Sequence, residues 1–256
     1  KGIALYDGSG TDYTVPTFPL TTTLPGQGGG SVSSHSVNFN GTNHLSVGAS
    51  SDMSMGTGDF TIECWARFDT GANVGLWQVE GLTTNYTTTL SFAHNGSNWH
   101  GYRGGSTWDY GGARTASQWY HTAYVRHSGT CTVYVDGTAL GSWSDSYNYT
   151  GTTLVIGGYY TTGYRLNGNI SNFRVVKGQA LYTQNFTPTT EPLTTTSQGA
   201  NSADVKLLCC NKNSATGKDV GPSISNSGGA AAQNSHPFGA AGPSVQCLCC
   251  GVDDDF

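Results

Sequence analysis

The chain has 256 residues, 36% of them hydrophobic and only 11% charged, which is enough apolar material for a core and too little Glu, Lys and Arg for long amphipathic helices. Gly, Ser and Thr make up about 38% of it, and the apolar remainder is rich in the Val, Tyr and Trp that suit a pleated surface, so strands carry the fold. A formal charge of -5 with scattered Lys and Arg leaves no basic face for nucleic acid, and no run approaches the ~18 apolar residues of a membrane-spanning helix.

Residues 1–30 carry Pro16, Pro19, Pro25 and Gly28-Gly29-Gly30, and read as an extended lead-in. The start, Lys1-Gly2-Ile3-Ala4, lacks both Met and an apolar signal core, so a trimmed or incomplete N-terminus is expected. Short strands begin after it. Ser36–Phe39 and His44–Val47 flank Asn40-Gly41, which predicts a hairpin corner. Asp59 to Phe68 is the clearest strand: Phe60, Ile62, Cys64, Ala66 and Phe68 alternate with Thr61, Glu63, Trp65 and Arg67, so the first set faces a core and the second faces another layer, a groove or solvent.

Further strands are expected at Val74–Glu80, Thr88–Ala93, Asn98–Arg103, Gln118–His127 and Thr130–Val135, the last turning through Asp136-Gly137 into Thr138–Trp143. Thr153–Gly157 and Arg165–Val176 follow, the second broken near Asn167-Gly168, and Gly178–Tyr182 is read as one helical turn before Pro188 and Pro192. About a dozen closely spaced strands imply two antiparallel sheets packed face to face. From residue 196 to 256 the chain is poor in apolar residues except for Val205–Cys210 and Val245–Cys250; this extension must lie on the sandwich, pair with a partner, or be stapled by its cysteines.

Several phrases now stand in a specific order: Val37-Asn38-Phe39-Asn40-Gly41, Gly58-Asp59-Phe60-Thr61-Ile62-Glu63, Gln118-Trp119-Tyr120-His121, Val133-Tyr134-Val135-Asp136-Gly137 and Leu166-Asn167-Gly168-Asn169-Ile170. The order resembles the laminin-G-like, concanavalin A-like jelly-roll family, which implies an all-β, antiparallel two-sheet sandwich over residues 31–195. Arg174-Val175-Val176-Lys177-Gly178-Gln179-Ala180-Leu181-Tyr182-Thr183, with Lys206-Leu207-Leu208-Cys209-Cys210 after it, is similar to the version carried by marine bacteriophage structural proteins. That resemblance implies an extracellular, virion-surface setting with repeated copies and other virion subunits as partners.

Some jelly-roll relatives are glycosidases with two carboxylates about 5–10 Å apart. Here Asp59 and Glu63 share a strand face about 13 Å apart, there is no G-x-S-x-G, H-E-x-x-H or P-loop, and Glu63 is expected to pair with Arg67 or a neighbouring strand, so no enzyme is expected. Sugar binding needs only aromatic faces with polar groups around them. Trp99, Tyr102, Trp108 and Tyr110, clustered in one Gly-rich stretch, with Tyr159 and Tyr160 in another, lie outside the clean alternating runs and are the candidate glycan-binding set; the same rings could instead brace loops or fill a contact between subunits. The function expected is therefore a non-enzymatic host-adsorption module on a phage tail fibre or capsid binding host-surface glycan, with a purely structural subunit or a secreted adhesin as alternatives.

The resemblance allows Ca²⁺ at a sandwich rim, where Asp52, Asp109 and Asp145 are loop carboxylates without ligand-like spacing; no cofactor is required. His121 is read as a packed or hydrogen-bonded core residue, and Cys64 and Cys131 as free buried thiols. Cys209, Cys210, Cys247, Cys249 and Cys250 are disulfide candidates, with free thiols and a Zn²⁺ site as the other readings. Six N-x-[ST] triplets, at Asn40, Asn85, Asn95, Asn148, Asn169 and Asn185, are about what composition alone produces.

Overall fold

A computed structural model describes residues 35–70, 73–80, 89–103, 106–159 and 163–238. The strands are β1 (Ser36–Asn40), β2 (His44–Val47), β3 (Phe60–Thr70), β4 (Val74–Val79), β5 (Ser91–His94), β6 (Asn98–Arg103), β7 (Ser106–Gly111), β8 (Trp119–His127), β9 (Thr130–Val135) and β10 (Thr138–Ser144). They continue with β11 (Leu154–Ile156), β12 (Asn167–Lys177), β13 (Val205–Cys209), β14 (Lys218–Val220), β15 (Ile224–Ser227) and β16 (Ala231–Gln233). One sheet runs β10-β9-β8-β3-β12-β1-β16, with β13 and β14 beside the second half of β12; the other runs β15-β2-β11-β4-β5-β6-β7. The pairings are antiparallel, and the all-β two-sheet jelly-roll sandwich expected from the sequence is the fold.

Alternation on β3 sets the core. Phe60, Ile62, Cys64, Ala66 and Phe68 are buried between the sheets, where Phe60 packs on Tyr124 and Tyr149, and Phe68 on Trp99 and Tyr120. The intervening β3 residues point to the outer side of the larger sheet, and there a further layer covers them. The chain after β12 crosses that side: Leu181 N–H donates to Thr61 Oγ1, Leu193 N–H to Asn172 Oδ1, and Phe186 stacks on Tyr182 at 3.6 Å between ring centres.

Four local expectations are corrected. Asn40-Gly41 is not a hairpin turn: β1 joins the larger sheet and β2 the smaller, so the corner carries the chain between layers, with Gly41 at φ +85°. Gly178–Tyr182 forms no helical turn, because β3 engages it instead through Thr61 and Glu63; the 3-10 turns lie at Ser51–Met53 and Ser197–Gly199. Ser106–Gly111 is a full strand, β7, which its glycine-rich surroundings had hidden. β12 runs on through Asn167-Gly168 with a shift of register in place of a break, and Gly168, at φ +151°, lies so close to β3 that a Cβ would sit 2.0 Å from Arg67 O.

The sheets also continue past residue 195. β13 pairs with β12, β16 with β1 and β15 with β2, so residues 205–233 lie on the sandwich and feed both layers. The second apolar island, Val245–Cys250, with Cys247, Cys249 and Cys250, falls outside the described residues.

Candidate functional site

Trp99 fixes which way β6 faces. Its ring packs on Phe68 and Tyr120 of the opposite sheet, so it points inward, and the alternate residues His100 and Tyr102 lie together on the outer side. His100 is paired across the ladder with Asp109 of β7, and its Nδ1 lies 2.8 Å from Asp109 Oδ1; an ionised carboxylate only accepts, so Nδ1 carries the hydrogen. Asn95 Nδ2 donates to the same oxygen at 2.7 Å. Tyr159, from the segment after β11, lays its ring against His100 and Tyr102 and is itself flanked by Tyr164.

The result is an outer patch on the smaller sheet in which half-buried Tyr102 and Tyr164 present ring surface beside a hydrogen-bonded His100, Asp109 and Asn95 row. Tyr159 holds the patch from beneath: it is 1% exposed, its hydroxyl donates to Asn73 Oδ1 at 2.9 Å, and burial raises its phenol pKa above the ordinary value. Gly75 permits this seat, since a Cβ there would stand 2.4 Å from Tyr159 N. Rings with adjacent polar groups suit the apolar face and hydroxyls of a pyranose.

The six candidate rings therefore separate. Trp99 (1% exposed), on the strand expected at Asn98–Arg103, and Trp108 (5%), on the unexpected β7, belong to the core and offer no ring face to a ligand. Trp108 packs among Phe92, Tyr124 and Trp143, and Tyr110 is stacked on Trp143 on the inward side. The physical reason is alternation: Trp99, Trp108 and Tyr110 fall on the inward sides of β6 and β7, where the opposite sheet covers them. Tyr102 and Tyr159 do meet at the outer patch, and Tyr160 lies outside the described residues. His100 was missed among the sequence candidates; strict alternation from Trp99 was the signal that could have found it.

Glu63 faces neither solvent nor a groove. It is buried with Arg174 of β12, whose Nε and Nη2 donate to Oε1 at 2.8 and 2.6 Å, while His121 Nε2 and Tyr182 Oη reach Oε2 at 3.1 and 2.8 Å. Burial alone would raise its pKa, but Arg174 and His121 override that and hold it at about 2. The expected pairing with a neighbouring strand is found, in Arg174 and not in Arg67, which pairs with Asp69 instead.

Cys64 and Cys131 are free and buried, as read from the sequence, and burial pushes the Cys64 thiol up to about 12. Cys209, the last residue of β13, and Cys210, just past it at φ +59°, are also free and buried among the described residues, with sulfurs 3.8 Å apart, which is no disulfide; the expected staple to Cys247, Cys249 or Cys250 involves residues outside the described ones. Asp52, Asp109 and Asp145 do not converge, and among the described residues no three His, Cys, Asp or Glu side chains are grouped to hold a metal. Asp145, moreover, already accepts from Tyr147 N–H, Tyr149 Oη and Cys131 Sγ, so its carboxylate does not fit a Ca²⁺ site.

Comparison with known proteins agrees with this architecture. No curated protein matches the sequence. A structure from Bacteroides ovatus, of a protein for which carbohydrate binding has been suggested, aligns at 16% identity and a TM-score of 0.55 over 78% of this chain and 59% of its own, so the chain spans about three-fifths of its length. A heptameric pentraxin of Limulus polyphemus aligns at 16% identity and a TM-score of 0.48 over 82% of this chain and 99% of its own. Residues 39–184 match the family described as the concanavalin A-like lectin/glucanases superfamily, and the chain belongs to that family.

Proposed function

We propose that the domain is a non-enzymatic glycan-binding module whose sugar site is the outer patch around Tyr102, His100, Asp109 and Tyr164. The observation that carries this reading is the half-buried Tyr102 ring set beside a hydrogen-bonded His100–Asp109–Asn95 row on the outside of a jelly-roll sheet. The absence of catalysis in this reading rests on Glu63, whose four donors and depressed pKa leave it no proton to give at neutral pH.

The setting proposed is the surface of a phage particle, on a tail fibre or capsid, where the domain adsorbs to host glycans beside other virion subunits. Its support is the wording of Arg174–Thr183 and Lys206–Cys210. Many copies on one particle turn weak single-site affinity into firm attachment. Glycan-array binding by the wild type and Tyr102→Ala tests the site: the variant should lose at least tenfold in signal with a melting temperature within a few degrees of wild type. Unchanged binding removes the patch from consideration. Mass spectrometry of purified particles from the native source tests the setting, and absence of the chain from them rejects it.

A further inference from the structure

At the rim of the sandwich, where β6 ends, β7 begins and the connection from β10 to β11 passes, there is an open cavity of about 340 Å³. Its wall carries Arg103, Ser106, Ser144, Ser146, Tyr147 and Asn148. Such a volume is within the range of a monosaccharide-sized site. It is separate from the outer patch, because Arg103 follows Trp99 and Gly101 in alternation and so lies on the inward side of β6, whereas His100 and Tyr102 lie outside.

Arg103 is the unusual member. Its guanidinium lies 4.2 Å from the centre of the Trp143 ring, a stack that fixes the plane of the group. Among the described residues it has no carboxylate partner, and its Nε is buried without a hydrogen bond. Asp145 also borders the cavity, but its carboxylate oxygens already accept from three donors, and buried Arg126, of opposite charge, donates to the main-chain oxygens of Asp145 and Tyr147 at 2.6 and 2.8 Å. With one guanidinium from Arg103 and a second beside it from Arg126 against the single Asp145 carboxylate, the rim carries a net positive charge, and the rest of the wall is serine hydroxyls, the Asn148 amide and the rings of Tyr147 and Tyr149.

We propose that this rim cavity binds the oxyanion of an acidic sugar, a uronic-acid carboxylate or a sulfate ester, with the Arg103 fork on the anion and Ser106, Ser144, Ser146 and Asn148 on the ring hydroxyls. A planar, pre-oriented guanidinium matches two oxygens of either group, which an ammonium cannot do. The inference rests on the glycan-binding reading but uses a different site, so the two can fail separately.

The test is calorimetric titration of the intact chain with three probes of equal length: trigalacturonate, a sulfated galactotriose and neutral galactotriose. Wild type should bind at least one acidic probe tenfold or more tighter than the neutral one, with the advantage shrinking as salt is raised. Which acidic probe wins identifies the anion. Arg103→Gln should reduce acidic binding to the neutral level, and Arg103→Met, which keeps an apolar stem over Trp143, should do the same if the first variant is poorly folded. Arg103→Lys should retain only part of the preference. Neutral binding with no acidic advantage, or an advantage that survives in Arg103→Gln and Arg103→Met, overturns the rim site alone. Binding of none of the three overturns the glycan reading and this one with it.

Discussion

Glu63 shows how a charged residue is kept in a sealed layer. Arg174 and His121 lie beside its carboxylate and Tyr182 donates to it, and removing the acid would strand a buried guanidinium. Glu63→Ala should therefore cost about 3–5 kcal/mol in urea denaturation. The pH dependence has a definite sign: a carboxyl at about 2 when folded, against its ordinary 4.5, contributes stability that is fully present above pH 4.5 and is lost as pH falls toward 2. Urea midpoints measured from pH 6 to pH 2 check this, and the steepest loss should be missing in Glu63→Gln.

Strands and turns carry the next set of consequences. The hairpin between β9 and β10 turns at Gly137, φ +75°, with Phe186 N–H donating to Gly137 O; a Cβ there would fall 1.8 Å from Phe186 O. Gly137→Ala should thus both strain the turn and lift the covering segment, lowering stability by roughly 2 kcal/mol or more in thermal denaturation. Trp99→Ala should cost about 3–5 kcal/mol by the same measurement, since it empties a site enclosed by Phe68, Phe92 and Tyr120. Strand positions were readable where alternation or an Asp-Gly turn marked them, as in β3, β9 and β10. β7 was not, because Ser106-Thr107-Trp108-Asp109-Tyr110-Gly111 sits among glycines and its pairing with β6 supplies the order that its own composition does not.

For the whole molecule, the segment after residue 195 is structural in a way its composition conceals. β13 covers the second half of β12, and its Leu207, Leu208 and Cys209 are buried there. A chain ending at residue 203 should express as an aggregating or markedly less stable protein, read as a melting temperature at least ~10 °C lower or as loss of soluble yield. If it folds with unchanged stability, β13 through β16 are dispensable to the sandwich.

By itself the sequence determined the all-β class, the two-layer sandwich and the core face of β3, because a period-two pattern states locally which side of a strand is dry. It also indicated that aromatic residues near positions 99–110 and 159 mattered. Only the tertiary structure decided which of those rings are walls and which are surface. Trp99 and Tyr102 stand on one strand with similar chemistry, and what separates them is the opposite sheet that covers one side of β6 and not the other. The same holds for Glu63 and Arg103: each looks like an ordinary strand charge, and only partners brought from distant parts of the chain, Arg174 for one and Trp143 for the other, determine that the first is buried and satisfied and the second stacked without a carboxylate.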